Sequence, residues 1–204
     1  MKIGLYFGTF NPIHVGHLVI ANYMADFTEL DEVWLIVTPQ NPLKKKKTLL
    51  KDFHRLLLVR EAIDDNSKLK VSDVEFNLPK PSYTIKTLNC LIEKYPKHDF
   101  SIIMGEDNLR SFHKWYNYEF IINHHSIYVY PRVLTKQEEE EMNELDLKSK
   151  ESFKKHKNVF YCENVPVMKV SASFIRKAIK EGKDVRYLLT EPVYKYVQEM
   201  RFYK

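Results

Sequence analysis

Short apolar runs alternate with longer segments of helical periodicity along most of the chain. Runs rich in β-branched and aromatic residues predict strands at Ile3–Phe7, Val33–Val37, Lys70–Phe76, Phe100–Met104, Ser126–Tyr130 and Val159–Tyr161. Apolar residues spaced three and four apart predict helices at Val15–Ala25, Phe53–Ile63, Thr84–Tyr95 and Leu109–Ile122. This alternation predicts an α/β fold with a mainly parallel sheet and helices on both faces. Ligands bind such sheets beyond the carboxyl ends of the strands.

Two segments depart from the alternation. Leu134–Lys157 is dominated by Glu and Lys and has almost no apolar face, so we interpret it as a charged insertion without a chemical role. The C-terminal part, Ser171 to Lys204, has the pattern of two or three helices packed back on the sheet. The sequence contains neither an internal repeat nor a long linker, so residues 1–204 are expected to form one domain that includes the insertion.

Composition fits a globular protein and narrows the class of partner. The chain has 204 residues, of which 44% are hydrophobic and 29% are charged. Such a chain can bury a sizeable core without disulfides or metals. Its net charge of +5 suits an anionic partner but is modest for a nucleic-acid binder, so we expect no nucleic-acid partner. The run of four lysines from Lys44 to Lys47 is typical of a solvated loop.

The cysteines and the N-terminus predict a cytoplasmic protein. Cys90 and Cys162 are too few for a disulfide framework, and each has apolar neighbours, so both are expected to be reduced thiols. We expect no signal peptide, because strand-like alternation follows directly after Met1 and Lys2. No apolar run in the sequence is long enough to span a membrane.

The sequence GTFNPIHVGH, from Gly8 to His17, concentrates glycine and histidine where the first predicted strand gives way to the first helix. Free backbone N–H groups at a helix N-terminus form an anion site with the helix dipole, and glycine lets a ligand approach the backbone. His14 and His17, three residues apart, are expected to share one face of the first turn. Two imidazoles beside such N–H groups can hold a polyphosphate and stabilise charge that develops at phosphorus.

Other interpretations of this histidine pair are available from the residues alone. A helix start with two capping or core histidines would need no ligand, but the glycines and the strand-end position argue against it. A zinc site could recruit His124, His125 or Cys162, yet the chain has neither Cys-x-x-Cys nor H-E-x-x-H. We therefore assign no metal ligand. The P-loop and dinucleotide-binding glycine patterns are also missing from the sequence.

The segment GTFNPIHVGH resembles the H-x-G-H signature of the nucleotidyltransferase superfamily, whose members have a Rossmann-like sheet. The superfamily's second signature, near I-S-S-T-x-I-R, is matched by VSASFIRKAI, an S-x-S-x-x-R motif in the predicted C-terminal helices. Independently of the resemblance, Ser171 or Ser173 is a good N-cap for a helix that ends at Gly182. The guanidinium fork of Arg176 suits phosphate oxygens, although the segment alone would also fit an ordinary capped helix.

Four further segments resemble one family, the bacterial nicotinate-nucleotide adenylyltransferases: TPQNPLKK, PSYTIKTL, IIMGEDNL and FHKWYNYEFII. The resemblance covers nearly the whole chain and is weakest at Leu134–Lys157. It implies transfer of the adenylyl group of ATP to nicotinate mononucleotide, giving deamido-NAD and pyrophosphate. With few carboxylates in these segments, Mg²⁺ is expected to be held mainly by the ATP phosphates and water.

Two alternatives to this activity are retained. One is another reaction of the superfamily, such as phosphopantetheine adenylyl transfer or cytidylyl transfer. His14 argues against the pantetheine enzymes, which commonly have Thr at that position. The other is a nucleotide-binding module without catalysis, against which the intact His14, His17 and Arg176 argue.

The resemblance also implies roles for individual residues. Those implied for ATP, with the two histidines as the catalytic residues, are Gly8, Thr9, Phe10, His14, His17, Gly105, Asp107, Ser171, Ser173 and Arg176. Those implied for nicotinate mononucleotide are Lys44, Ser82, Tyr83, Thr84, Trp115 and Arg132. We expect Trp115 to lie in a helix and to offer a flat face to the pyridine ring, although a plain core position is the alternative. Asp107 is expected to accept from ribose hydroxyls or to cap the helix that follows.

The chain also departs from the family pattern. Asn11 stands where Asp is usual, Leu43-Lys44 replaces Pro-His-Lys, and SAS replaces SST. Asn11 keeps the capacity to form a turn but loses the charge that Asp would offer a metal ion.

Overall fold

The computed structural model of the chain describes residues 1–40, 42, 49–132 and 150–204. Six strands form one sheet in the order β3-β2-β1-β4-β5-β6, in which every neighbouring pair is parallel. The strands are β1 (Lys2–Gly8), β2 (Glu32–Val37), β3 (Leu69–Ser72), β4 (Asp99–Gly105), β5 (Ile127–Tyr130) and β6 (Val159–Tyr161). The predicted α/β fold with a parallel sheet is confirmed.

Helices cover both faces of this sheet. They are α1 (Val15–Phe27), α2 (Asp52–Ile63), α3 (Thr84–Lys94), α4 (Glu106–Arg110), α5 (Tyr118–His124), α6 (Ala172–Lys180) and α7 (Glu191–Glu199). Short 3-10 turns occur at Val74–Asn77, Phe112–Lys114 and Arg186–Leu188, and residues 150–154 are also helical. Within the described ranges, every helix is too short or too polar to cross a bilayer.

Two apolar clusters fill the space between sheet and helices, because successive side chains of a strand point to opposite faces. Leu5 of β1 belongs to the cluster that contains side chains of α3, α4 and α5. The next residue, Tyr6, belongs to the cluster that contains side chains of α1, α2, α6 and α7. The C-terminal helices therefore complete one of the two layers.

The carboxyl ends of all six strands lie along one edge of the sheet, since the strands are parallel. The chain fills the β3 side first and then returns to the other side of β1 as β4, so the order reverses between β1 and β4. Ligands bind at such a reversal. Gly8 ends β1 and Gly105 ends β4, which places two of the predicted site segments there.

The predicted helix at Leu109–Ile122 is wrong, because the segment is broken in two places. Helix α4 ends at Arg110 and is followed by a 3-10 turn. Asn117 then adopts a left-handed backbone, with φ 58°, directly before α5. Trp115 is consequently in the connection and not in a helix. A left-handed residue cannot continue a right-handed helix.

The predicted strand at Lys70–Phe76 is too long. β3 ends at Ser72, and the 3-10 turn that follows carries Glu75, which is 2% exposed. The hydroxyl of Thr87, on α3, donates to the Glu75 carboxylate at 2.7 Å. Glu75 is thus buried against α3, which supplies one of the hydrogen-bond donors that a buried carboxyl group requires.

The expectation that Leu134–Lys157 has almost no apolar face is wrong for its described end, at Phe153. The Phe153 ring packs edge-on against Phe112 and Tyr118, with centroids 5.5 and 5.9 Å apart. Lys150 forms an ion pair with Glu106. Residues 133–149 lie outside the described residues.

Candidate active site

The turn between β1 and α1 brings the two histidines together. His14 is the N-cap of α1 and His17 lies in its first turn. Their rings stack, with centroids 3.7 Å apart and planes inclined by 27°. The backbone N–H of His14 donates to Nδ1 of His17 at 3.3 Å. A neutral His17 therefore carries its proton on Nε2, from which it can donate to a phosphate oxygen.

Burial sets the charge of His14. The residue is 5% exposed, and this burial lowers its pKa from 6.5 to about 4. His14 is therefore neutral at pH 7. Two stacked imidazoles that were both charged would repel each other, so the neutral His14 makes the close pair possible.

The ring of Phe10 packs against the histidine pair. Its ring lies edge-on to His17 with centroids 5.1 Å apart, and the Tyr6 ring approaches His17 at 6.2 Å. Phe10 is 1% exposed and has φ 44°, a left-handed conformation that a bulky residue adopts only when its surroundings hold it there. A Cβ atom on Gly8 would lie 2.7 Å from the Phe10 ring, so glycine is required for this ring position.

The second motif forms the start of α6. Ser171 is the N-cap, and its Oγ accepts from the backbone N–H of Phe174 at 3.2 Å, as predicted. Arg176 donates to the backbone carbonyl of Asn11 at 2.7 Å and to Oγ of Ser173 at 3.1 Å. This arginine therefore joins the two motifs, which lie at opposite ends of the sequence.

Gly16 allows close packing between the start of α1 and the segment before α6. A Cβ atom at this position would lie 2.7 Å from the side chain of Val170, just before α6, and 3.1 Å from Nδ1 of His14. The missing side chain lets the segment before α6 pack against the start of α1.

Asn11 connects the β1–α1 turn to two other segments. It is 1% exposed, and its Oδ1 accepts from the backbone N–H of Leu50 at 3.3 Å and from the hydroxyl of Tyr203 at 2.9 Å. Burial raises the pKa of Tyr203, which keeps its hydroxyl a donor. The Asn11 oxygen is thus directed at protein donors, and a metal contact through it does not fit this geometry.

Among the described residues, no group of three or more His, Cys, Asp or Glu side chains is placed to hold a metal ion. The segments predicted to bind phosphate contribute imidazole, hydroxyl, guanidinium and backbone N–H groups, all of which suit an anion.

Asp107 and Arg132 meet at the ends of β4 and β5 and form an ion pair. Asp107 lies in the first turn of α4, whose N-cap is Gly105, so the predicted capping role for Asp107 is wrong. A Cβ atom on Gly105 would lie 2.5 Å from Oδ1 of Asp107 and 3.2 Å from the Tyr130 ring. Glycine therefore allows the carboxylate to fold back over the strand end, where a ribose could reach it.

The segments predicted for the pyridine ring lie on the other face of the sheet. Tyr83 is the N-cap of α3, which confirms the predicted helix start, and the backbone N–H of Ser82 donates to the carbonyl of Gln40 at 3.0 Å. The Tyr83 ring lies 5.1 Å from that of Tyr116, which connects this helix start to the neighbour of Trp115.

Trp115 is half-buried, and its ring packs edge-on against Phe112 at 5.2 Å. Its indole N–H is buried without a hydrogen-bond partner among the described residues. A buried indole N–H usually finds an acceptor, and packing against the apolar cluster on this face of the sheet supplies none. The remaining predicted contact, Lys44, lies outside the described residues.

Sequence reasoning missed one buried side chain next to the site, Arg55 of α2. It is 0% exposed and donates to the backbone carbonyl of Thr9 at 2.5 Å. The signal was present, because Arg55 shares a helix face with Leu58, Val59 and Ala62, all of which are buried. Sequence reasoning also missed Tyr203, whose hydroxyl donates to Asn11. No pattern in the sequence connects this residue near the C-terminus to the site.

A family model for cytidylyltransferase-like proteins matches residues 5–178. A relative from Flavobacterium johnsoniae, named a probable nicotinate-nucleotide adenylyltransferase, is 53% identical over 204 residues, which cover 100% of both chains. The chain belongs to the nicotinate-nucleotide adenylyltransferase family. A family member of the same name from Bacteroides fragilis is 43% identical over 194 residues, which cover 95% of this chain and 90% of the relative.

A solved structure supports the family fold. The nicotinic acid mononucleotide adenylyltransferase of Plasmodium falciparum, complexed with NaAD, aligns with a TM-score of 0.76. The alignment covers 99% of this chain and 97% of that one at 18% identity. The family's Rossmann-like sheet is therefore the sheet of this chain.

Proposed function

We propose that the chain transfers the adenylyl group of ATP to nicotinate mononucleotide, giving deamido-NAD and pyrophosphate. The observation that carries the proposal is the hydrogen bond from Arg176 to the Asn11 carbonyl. It brings the S-x-S-x-x-R helix onto the histidine turn in a chain of this family. Two helix starts and two imidazoles then face one polyphosphate.

The reaction requires positioning and charge neutralisation, and no protein nucleophile takes part. The mononucleotide phosphate attacks the α-phosphorus of ATP in line, and pyrophosphate leaves. The N–H groups of Gly8, Thr9 and Phe10 bind phosphate oxygens, while His14 contacts them as a neutral imidazole. His17 donates from Nε2 to the oxygens on which charge develops.

The triphosphate tail lies against the start of α6 in this proposal. Ser171, Ser173 and Arg176 bind its oxygens, and Arg176 adds a fixed positive charge. Gly105 and Asp107 contact the adenosine ribose, with Arg132 orienting the Asp107 carboxylate through their ion pair.

The mononucleotide occupies the face that carries Trp115 and the start of α3. Trp115 stacks on the pyridine ring, and the N–H groups near Ser82, Tyr83 and Thr84 bind the ring carboxylate. Lys44 is proposed as a contact for the mononucleotide phosphate, from its place in the family pattern alone.

Mg²⁺ is proposed as a companion of ATP, held by phosphate oxygens and water, where it would neutralise phosphate charge. The oxygen of Asn11 already has two protein donors, so we assign the metal no ligand from this position.

We also propose that the chain works in the cytoplasm as one domain with small-molecule partners and no nucleic acid. Both cysteines are free, which supports a reducing compartment.

The proposal is tested by pyrophosphate release from purified chain supplied with ATP and one second substrate at a time. Nicotinate mononucleotide should support release, whereas phosphopantetheine in its place, or CTP in place of ATP, should not. Release with phosphopantetheine or CTP would favour another reaction of the superfamily. Release with none of the mixtures would favour a binding module.

His17→Ala should lower turnover about 10²–10³-fold, because it removes a donor to the developing charge. The exposed His124, on α5, provides a matched control, and His124→Ala should leave turnover unchanged. Circular dichroism would verify that both variants are folded. If folded His17→Ala keeps wild-type turnover, His17 is not a catalytic residue.

A further inference from the structure

We propose that Arg55 is a positioning residue that fixes the direction of the Phe10 N–H, and so places ATP relative to the attacking phosphate. The inference rests on the proposed function, because it concerns the turn that is proposed to bind the ATP phosphates. Arg55 would touch neither substrate and would act through the backbone of the β1–α1 turn.

The guanidinium of Arg55 connects the ends of two adjacent strands. Its Nη1 donates to the carbonyl of Thr9, just beyond β1, at 2.5 Å and to the carbonyl of Thr38, just beyond β2, at 3.0 Å. The backbone N–H of Thr38 also donates to the Gly8 carbonyl at 2.9 Å. The turn after β1 is therefore attached to β2 by both backbone and side-chain bonds.

Other donors of Arg55 reach a third segment, which leads into α2. Nε donates to the carbonyl of Leu50 at 3.2 Å, and Nη2 donates to the Asp52 carboxylate at 2.6 Å. The backbone N–H of Leu50 in turn donates to Oδ1 of Asn11 at 3.3 Å. Leu50 thus joins Arg55 to the same turn by a second route.

Holding one carbonyl determines the direction of the next N–H group. The C=O and N–H of a trans peptide point to opposite sides of one plane, and the Thr9–Phe10 bond is not among the cis bonds of the described chain. With its carbonyl bound to Arg55, Thr9 forces the N–H of Phe10 to point away from the buried guanidinium. The left-handed φ of 44° at Phe10 is a conformation that needs such support.

The chemistry of the arginine fits this role better than a purely structural one. Burying a charge fully is costly, and replacement of a buried ion pair by apolar residues is often neutral or stabilising. The counter-charge, Asp52, is 35% exposed, so the pair is not built for mutual burial. A lysine has no planar fork and cannot bind three carbonyls and a carboxylate at fixed angles.

The test compares Arg55→Lys and Arg55→Met with Arg60→Met, a control on the exposed side of the same helix. Both Arg55 variants should lose about 10- to 100-fold in kcat, because a small displacement of reacting groups costs that much. The KM values for ATP and the mononucleotide should change by less than about threefold, since Arg55 touches neither substrate. Arg60→Met should match wild type in all three constants.

Two further measurements distinguish positioning from stability. Circular dichroism at the assay temperature identifies folded variants, and guanidinium ion at low millimolar concentration should raise the kcat of folded Arg55→Ala but not of Arg60→Met. If the Arg55 variants do not fold, Asp52→Asn loosens the same guanidinium, and its kcat should fall by at least about threefold with KM unchanged.

The inference is overturned if folded Arg55→Lys and Arg55→Met keep the wild-type kcat. It is overturned equally if KM rises while kcat is unchanged, or if Asp52→Asn matches wild type when the arginine variants do not fold. A wild-type chain without adenylyl transfer would instead contradict the proposed function, and the inference with it. If the wild type is active and the Arg55 variants are unaffected, the result contradicts the inference about Arg55 and leaves the proposed function standing.

Discussion

At the scale of single residues, burial decides what the histidine pair can do. His14 is kept neutral by its surroundings, and His17 is oriented by a backbone N–H on its Nδ1. The two stacked imidazoles are therefore held in fixed positions, His14 as a neutral group, and in the proposed site Arg176 adds positive charge near the phosphates. Such preorganised donors require no rearrangement when charge develops at phosphorus.

His14 should make stability depend on pH in a defined direction. Its folded pKa of about 4 lies below the ordinary 6.5, so acid protonates the unfolded chain first. The contribution of buried, neutral His14 to folding stability is therefore fully present above pH 6.5 and is lost as the pH falls towards 4. Urea unfolding of wild type and His14→Asn should show a stability difference that shrinks by about 2 kcal/mol between pH 7 and pH 5.

His125 provides an internal check on this measurement. Burial lowers its pKa too, but it is present in both proteins, and its effect cancels in the difference. A difference that stays constant with pH would contradict the assignment of a neutral His14.

Trp115→Ala should weaken the binding of both the acid and the amide mononucleotide. Loss of the stacking face should lower kcat/KM about 2- to 10-fold for each, since stacking contributes about 0.5–1.5 kcal/mol beyond burial. The preference for the acid should survive, because the N–H groups at the start of α3 are unchanged. Trp115→Phe, which keeps a ring, is the control. If Trp115→Ala has wild-type kcat/KM for both substrates, Trp115 is a core residue that does not contact the pyridine ring.

At the scale of elements, Phe153 changes the expectation for the charged segment. Replacing residues 134–149 by a flexible linker should leave both KM values nearly unchanged. Extending the replacement to residue 157 also removes Phe153, which packs against Phe112, the ring that supports Trp115. That variant should lose about 1–3 kcal/mol of stability and raise the KM for the mononucleotide.

Phe153→Ala alone should reproduce most of the difference between the two replacements. A large KM increase from the 134–149 replacement would instead mean that these residues contact a substrate. Michaelis constants and urea unfolding of the three variants separate these results.

Periodicity predicted most elements, because strand and helix patterns are local. It failed at Leu109–Ile122, where apolar spacing continues through a left-handed Asn117 that only the folded surroundings specify. The two signature motifs could be found because each is a continuous segment. Their connection could not, since Arg176 contacts a carbonyl 165 residues away and Tyr203 reaches Asn11 across 192 residues.

At the scale of the whole molecule, one edge of the sheet gathers segments from both termini and the middle of the chain. The histidine turn follows β1, the Asp107–Arg132 pair joins the ends of β4 and β5, and Arg176 of α6 binds the histidine turn on the side proposed for the phosphates. The side proposed for the pyridine ring is separate, at the start of α3. This separation predicts that phosphate binding and selection of the acid form can be altered independently.

The most direct measurement is a competition between the acid and amide mononucleotides for ATP on the purified chain, with both products identified by mass spectrometry. The acid carries a carboxylate that suits the helix start at Tyr83, whereas the amide brings an NH₂ group to face the same donors. We expect deamido-NAD to be the main product, accompanied by an equal amount of pyrophosphate. Equal amounts of both dinucleotides would contradict the account of selectivity, and the formation of neither would contradict the assignment of adenylyl transfer itself.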